Sequence, residues 1–209
     1  MKPYEIEVCT DNMPDTLAAA AQGATRIELC ARLDLDGTTP DEAFILETQG
    51  QLSIPFHVMI RPRGGNFVYT PEEVKEMEAS IDFCKKNGVP GVVFGALTAE
   101  GVLDIELIRH LAQLSKPLKV VVHKAIDYTP DPLGEFRRLL EVPEVDYVLT
   151  SGGQHTALGG QTVLRAMIEA AQGRITVMAA GKITQENLPD IAGIIGASAY
   201  HGRLIVGQL

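Results

Sequence analysis

Two short runs of this chain carry the same chemistry in the same order: Glu5-Ile6-Glu7-Val8-Cys9 and Arg26-Ile27-Glu28-Leu29-Cys30. Each alternates apolar residues with a carboxylate or a thiol, the period of a β-strand, so Glu7 shares a face with Cys9 and Glu28 with Cys30. The stretch between the runs has room for one crossover helix, which makes the two strands parallel neighbours. Parallel neighbours gather two thiols and two carboxylates at one rim of a sheet. Adjacent strands lie ~4.8 Å apart, close enough for both sulfurs to share one soft metal ion. Thiolates select Cu(I) or zinc over hard cations. Zinc wants four ligands, whereas Cu(I) is content with two or three, so Cys9 and Cys30 are the candidate ligands and Cu(I) the candidate ion. The opposing reading makes both cysteines small buried hydrophobes, and Cys84, in a helical stretch, is read that way.

Other residues suit acid–base or anion chemistry. In Phe56-His57-Val58-Met59-Ile60-Arg61 the apolar residues take one face, which puts His57, Met59 and Arg61 on the other. Arg61, followed by Pro62-Arg63-Gly64-Gly65, reads as an anion clamp on a tight loop, with Arg63 in support. His57 and His123 are alternatives for metal ligation or proton transfer, against a plain hydrogen bond to a buried glutamate. Parity alone does not choose which of His123 and Lys124 faces inward. The small-residue turns Thr150-Ser151-Gly152-Gly153 and Ala179-Ala180-Gly181-Lys182 have the form of weak phosphate-binding turns.

The elements that must position these residues are legible along the chain. Strand-like runs recur at 5–9, 26–30, 56–62, 91–95, 119–125, 147–152, 176–181 and 197–202. Several, such as Val120-Val121-Val122, are continuously apolar, as strands buried on both faces are. Between them lie helix signals. Thr39-Pro40-Asp41-Glu42 and Thr70-Pro71-Glu72-Glu73 each offer an N-cap, a first-turn proline and a capping-box acid, with Gly50 and Gly88 as stops. The stretches 104–116, 136–142, 161–172 and 185–195 fill the remaining gaps.

Eight strands alternating with helices predict an α/β fold, a compact TIM-type (β/α)₈ barrel, in preference to a doubly wound sheet with its Gly-rich first turn. In that fold the strand ends bring Glu7, Cys9, Glu28, Cys30, His57, Arg61, His123, Asp127, Ser151 and His201 to one mouth. Only seven residues follow Gly202, which predicts a short or missing final helix. A partner copy is expected to cover the bare wall, with Leu204, Ile205 and Val206 contributing, so a homo-oligomer is expected.

The 209 residues are read as one domain, 1–209, with no linker or low-complexity tract. A net charge of −9 argues against nucleic acid and anionic membranes as partners. No apolar run reaches the ~20 residues of a membrane span, and the first five residues hold no signal core. Three cysteines make no disulfide framework, so a cytoplasmic location with reduced thiols is expected.

With these residues in view the chain resembles the CutC family. The resemblance rests on Arg26–Cys30 with Gly37-Thr38-Thr39-Pro40, on Met59-Ile60-Arg61-Pro62-Arg63-Gly64-Gly65-Asn66-Phe67, on Val93-Phe94-Gly95-Ala96-Leu97-Thr98, on His123-Lys124-Ala125-Ile126-Asp127 and on Leu149-Thr150-Ser151-Gly152-Gly153. It implies a TIM-type barrel, a cytoplasmic location and a link to copper homeostasis. It carries family residues onto Glu7, Cys9, Glu28, Cys30, Arg61, His123 and Asp127. The chain departs from the family pattern at Lys124, Ile126 and Asn66, and at Ala180 and Lys182, which interrupt a glycine run.

Two functions fit these residues. One is a copper-handling protein that holds Cu(I) on Cys9 and Cys30, with no organic cofactor. The other is an enzyme acting on a small carboxylate or phosphate. There Glu7 or Glu28 serves as base, His123 as acid and Asp127 as support for its imidazole, while Arg61, Arg63, Ser151 and His201 hold the substrate.

Overall fold

The computed structural model describes residues 4–209; the first three residues of the segment read as free of a signal core lie outside that range. Eight strands alternate with seven α-helices among the described residues. They run β1 (Glu5–Thr10), α1 (Met13–Ala21), β2 (Arg26–Leu29), α2 (Glu42–Gln51), β3 (Phe56–Met59), α3 (Pro71–Lys86), β4 (Gly91–Phe94) and α4 (Ile105–Ser115). Then follow β5 (Lys119–Val122), α5 (Pro132–Leu139), β6 (Tyr147–Thr150), α6 (Gln161–Ala171), β7 (Thr176–Ala179), α7 (Leu188–Ile195) and β8 (Ala199–His201). The strands pair in parallel in chain order, and β8 closes onto β1 to complete the barrel.

Alternation along the strands builds two apolar layers. Outward residues such as Ile6, Val8, Ile27, Leu29, Val58, Phe94, Val120 and Val122 pack under the helices in one large cluster. Inward residues Cys30, Met59, Val93, Val121, Leu149, Met178, Ala180 and Ala199 form a smaller cluster inside the barrel. Buried Glu7, Arg26, Glu28, His57 and His201 complete the interior, so this barrel has a polar centre.

Local signals place most helix ends. Thr70 caps α3 with the full reciprocal capping box to Glu73. Asp104 caps α4 by accepting from the Leu107 N–H at 3.0 Å. Several boundaries differ from the sequence reading. Helix α2 starts after Asp41, whose side chain accepts from the Phe44 N–H, because the Thr39 hydroxyl is engaged by the Arg61 N–H (2.8 Å). It also runs through Gly50, which was expected to stop it. Helix α5 begins at Pro132, earlier than the apolar pattern suggested, with Asp131 as cap.

In line with the short or missing final helix expected, no helix follows β8 among the described residues. The residues after it do not leave the wall bare, however. Ile205 and Val206 are buried and only Leu204 is exposed. The tail crosses from the start of α7 to the end of α1: Gln185 N–H donates to Leu204 O (2.9 Å) and Gln22 Nε2 to Gln208 O (3.0 Å). Two of the three residues expected at a subunit contact thus serve the internal packing.

Candidate functional site at the barrel mouth

The register of β1 on β2 decides which side chains meet. Cys9 pairs with Glu28, not with Cys30, and Glu7 pairs with Arg26. This stagger comes from closing a sheet into a barrel, which tilts the strands and shears their register. Cys30 therefore lies one inward position beyond its expected match.

Glu7 sits fully buried at the centre of the barrel. Arg26 Nε donates to its Oε2 at 2.5 Å and His201 Nδ1–H to its Oε1 at 2.9 Å, while His57 Nδ1 lies 3.9 Å from Oε2. Burial alone would raise the Glu7 carboxyl, but the Arg26 guanidinium and then the His201 imidazole hold it down at about 2. Arg26 also donates to Glu5 at 2.8 Å and lies over the Tyr147 ring, 4.4 Å from its centroid.

Above Glu7, toward the mouth, Cys9, Glu28 and His201 each offer a donor atom, and the three atoms lie within 4.8 Å of one another. Glu28 faces His201 Nε2 at 3.9 Å and accepts from the Cys30 thiol at 3.6 Å. Burial pushes the Glu28 carboxyl up to about 7, with His201 opposing and the Glu7 charge adding to the rise. For His201 burial disfavours the charge, yet Glu28, Cys9 and Glu7 around its ring raise it well above the ordinary imidazole value. Burial, reinforced by Glu28, pushes the Cys30 thiol well up.

A cavity of about 260 Å³ opens over this group, lined by Cys9, Glu28, Met59, Arg61, His123 and His201 among others. Room for the two remaining histidines comes from β4 and the residue after it. A Cβ on Gly91 would lie 2.6 Å from His57 Nε2, and one on Gly95 would lie 2.6 Å from His123 Nδ1. Burial lowers His57 to about 4, against the pull of Glu7. Burial and then the Arg61 charge lower His123 to about 3, so its ring is neutral. His123 Nδ1 accepts from the Ala125 N–H (3.2 Å), which puts the ring proton on Nε2.

The structure places the remaining expected residues differently from one another. His123 and Lys124 both line the cavity, because β5 ends at Val122 and the chain turns into a short 3₁₀ segment that breaks strand parity. Arg61 lines it too, but its Nη1 donates to the carbonyls of Leu35, Asp36 and Gly37 and its Nη2 to that of Gly65. It fastens two loops over the mouth, and its terminal nitrogens face backbone. Arg63 turns away to Glu73, Asn66 and Val68. Asp127 does not support the His123 imidazole: it accepts from Lys124, Thr150, Gly153 and both the N–H and the hydroxyl of Ser151. Ser151 is fully buried in that turn and does not line the cavity.

Arg26 escaped the sequence reading although it shares parity with Glu28 and Cys30. An inward arginine below two carboxylates was the available signal for a buried ion pair. Phe67, packed on Arg61 (4.7 Å) and His123 (4.9 Å), lies in a loop, where no strand or helix period marks it as part of a site.

Fold and site together define a TIM-barrel protein with a sulfur-, imidazole- and carboxylate-lined pocket at the C-terminal ends of its strands. The CutC family model matches residues 4–206, and this chain belongs to the CutC family. It is 42% identical over 198 residues to the human protein named copper homeostasis protein cutC homolog, covering 95% of this chain and 72% of that one. A CutC family protein of Parabacteroides distasonis is 40% identical over 197 residues, covering 94% and 81%. The crystal structure of CutC from Streptococcus agalactiae aligns with a TM-score of 0.90 at 32% identity, covering 97% of this chain and 99% of that one.

Proposed function

We propose that this chain is a copper-homeostasis protein that takes Cu(I) at its barrel mouth, through the Cys9 thiolate and His201 Nε2, while Cys30 lies outside the cluster and contacts Glu28. The observation that carries this reading is the convergence of Cys9, Glu28 and His201 donor atoms within 4.8 Å on the wall of a cavity. The donor chemistry fits: thiolate and imidazole are what a soft ion selects. Glu7 on the far nitrogen of His201 supports it, because a carboxylate there fixes the tautomer and aims Nε2 at the ion. The names of the human and mouse relatives, copper homeostasis protein cutC homologs, point the same way. Binding would displace the proton shared around His201 and release protons as the ligands lose them.

The chain acts as one barrel domain in the cytoplasm on this reading, with free cysteines Cys9, Cys30 and Cys84. No helix among the described residues is long and apolar enough to cross a membrane. An anaerobic Cu(I) titration against a calibrated chromophoric chelator tests the proposal. One tight site per chain, lost in Cys9→Ser and in His201→Leu, is expected. Weak binding that neither substitution changes would overturn it and leave the acid–base reading, Glu28 with His123, in its place.

A further inference from the structure

Three buried polar atoms of the residues lining this cavity have no hydrogen-bond partner among the described residues: Glu28 Oε1, Arg61 Nε and His123 Nε2. Such atoms are rare in folded proteins, and each costs free energy until something pairs with it. Their chemistry is complementary to one kind of molecule. The Arg61 guanidinium and the His123 ring both pack against one aromatic ring, that of Phe67, and each carries an unpaired N–H donor, Nε and Nε2. Glu28 lines the same cavity, with its Oε2 turned to His201 and Cys30 and its Oε1 left unpaired. Leu33, Met59, Phe67 and Leu149 supply apolar wall between.

We infer that the cavity binds a small hydroxycarboxylate, its carboxylate on Arg61 Nε and His123 Nε2 and its hydroxyl on Glu28 Oε1. Two donors match the two oxygens of a carboxylate and would leave a phosphate under-satisfied. The other cations at the mouth are committed: Lys124 to Asp127 and Ser151 at 2.6 Å each, and Arg203 to Asp15 at 3.7 Å. They still bias the local field toward anions in a chain of net charge −9. A hydroxyl suits Glu28 better than an amine, because it pairs with a carboxyl in either protonation state. The two donors are covered in this structure, so binding requires movement of the aromatic cover, Phe67 with Tyr128 tilted against it at 5.4 Å.

This site does not depend on copper, so its test uses metal-free protein in excess chelator. The probes are 2-, 3- and 4-hydroxybutyrate, butyrate, 2-aminobutyrate and inorganic phosphate, followed by calorimetry. At least one hydroxybutyrate should bind one per chain, about tenfold or more tighter than butyrate and 2-aminobutyrate. It should also shift the Nε2–H resonance of His123 in the wild-type protein, and His123→Leu should weaken it by about tenfold. The wild-type resonance needs no substitution to fold. Absence of binding across the panel, equal binding of butyrate and all three hydroxy acids, binding of phosphate alone, or binding that leaves the His123 resonance unmoved would each overturn the inference.

Discussion

At the scale of the residue, environment gives chemically similar groups different states. Glu7 and Glu28 have the same inward orientation on neighbouring strands, yet Glu7 lies low at about 2 and Glu28 high at about 7. Arg26 accounts for most of the difference, since its guanidinium hydrogen-bonds Glu7, whereas burial dominates at Glu28. The histidines divide likewise: His201 is held charged between carboxylates, while His57 and His123 are buried neutral at about 4 and 3. A histidine whose folded-state value is depressed binds its proton more readily unfolded. Its contribution is therefore intact above the unfolded value near 6.5 and is lost as the pH falls toward the folded one. Between about pH 6 and 4 each should cost about 1.4 kcal/mol of stability per pH unit. His123→Leu should flatten that acid limb by this amount in urea titrations, and an unchanged slope would mean that His123 is already charged in the fold. The residue types of the site were legible from parity. Their states were not, because Arg26 and His201 reach Glu7 from different strands.

At the scale of the element, space on β4 and the residue after it matters as much as side chains on its neighbours. Gly95→Ala should cost about 1–3 kcal/mol by overpacking His123 and should weaken ligands at the mouth. Gly50→Ala in α2 provides the opposite sign. Nothing lies within 4 Å of its Cβ position, so relief of backbone entropy should stabilise the protein by about 0.5–1 kcal/mol in the same assay. The helix signals that were read correctly, Thr70 with Glu73 and Asp104, act within one turn. At Thr39 a competitor from elsewhere intervened: its hydroxyl was diverted by the Arg61 backbone just past the end of β3.

At the scale of the whole molecule, the barrel closes around a buried ionic column. Glu5, 45% exposed at the N-terminal face, leads through Arg26 and Glu7 to His201 and Glu28 at the mouth. The column joins β1, β2 and β8 across the closure. Arg26→Met would remove the guanidinium that pairs buried Glu7 and leave it with His201 alone, a loss of about 3–5 kcal/mol in denaturant unfolding; a loss below about 1 kcal/mol would show that Glu7 does not need Arg26 to be buried. The homo-oligomer expected from the sequence stays a proposal that now rests on exposed Leu17, Ile194 and Leu204, since Ile205 and Val206 are buried. Light scattering at the mass of one chain across concentrations would reject it.

Legible in the chain alone were the alternation of strands and helices, the barrel that alternation requires, and the inward strand residues Glu7, Cys9, Glu28 and His57. These follow from period-two patterning and short-range capping, which act over a few residues. Only the tertiary structure decided that Cys9 meets Glu28 and His201, that Arg61 holds loops, and that Asp127 serves Ser151 and not His123. Strand stagger and the turn after Val122 set those pairings. Both arise when the ends of the sheet meet, and no local pattern encodes them.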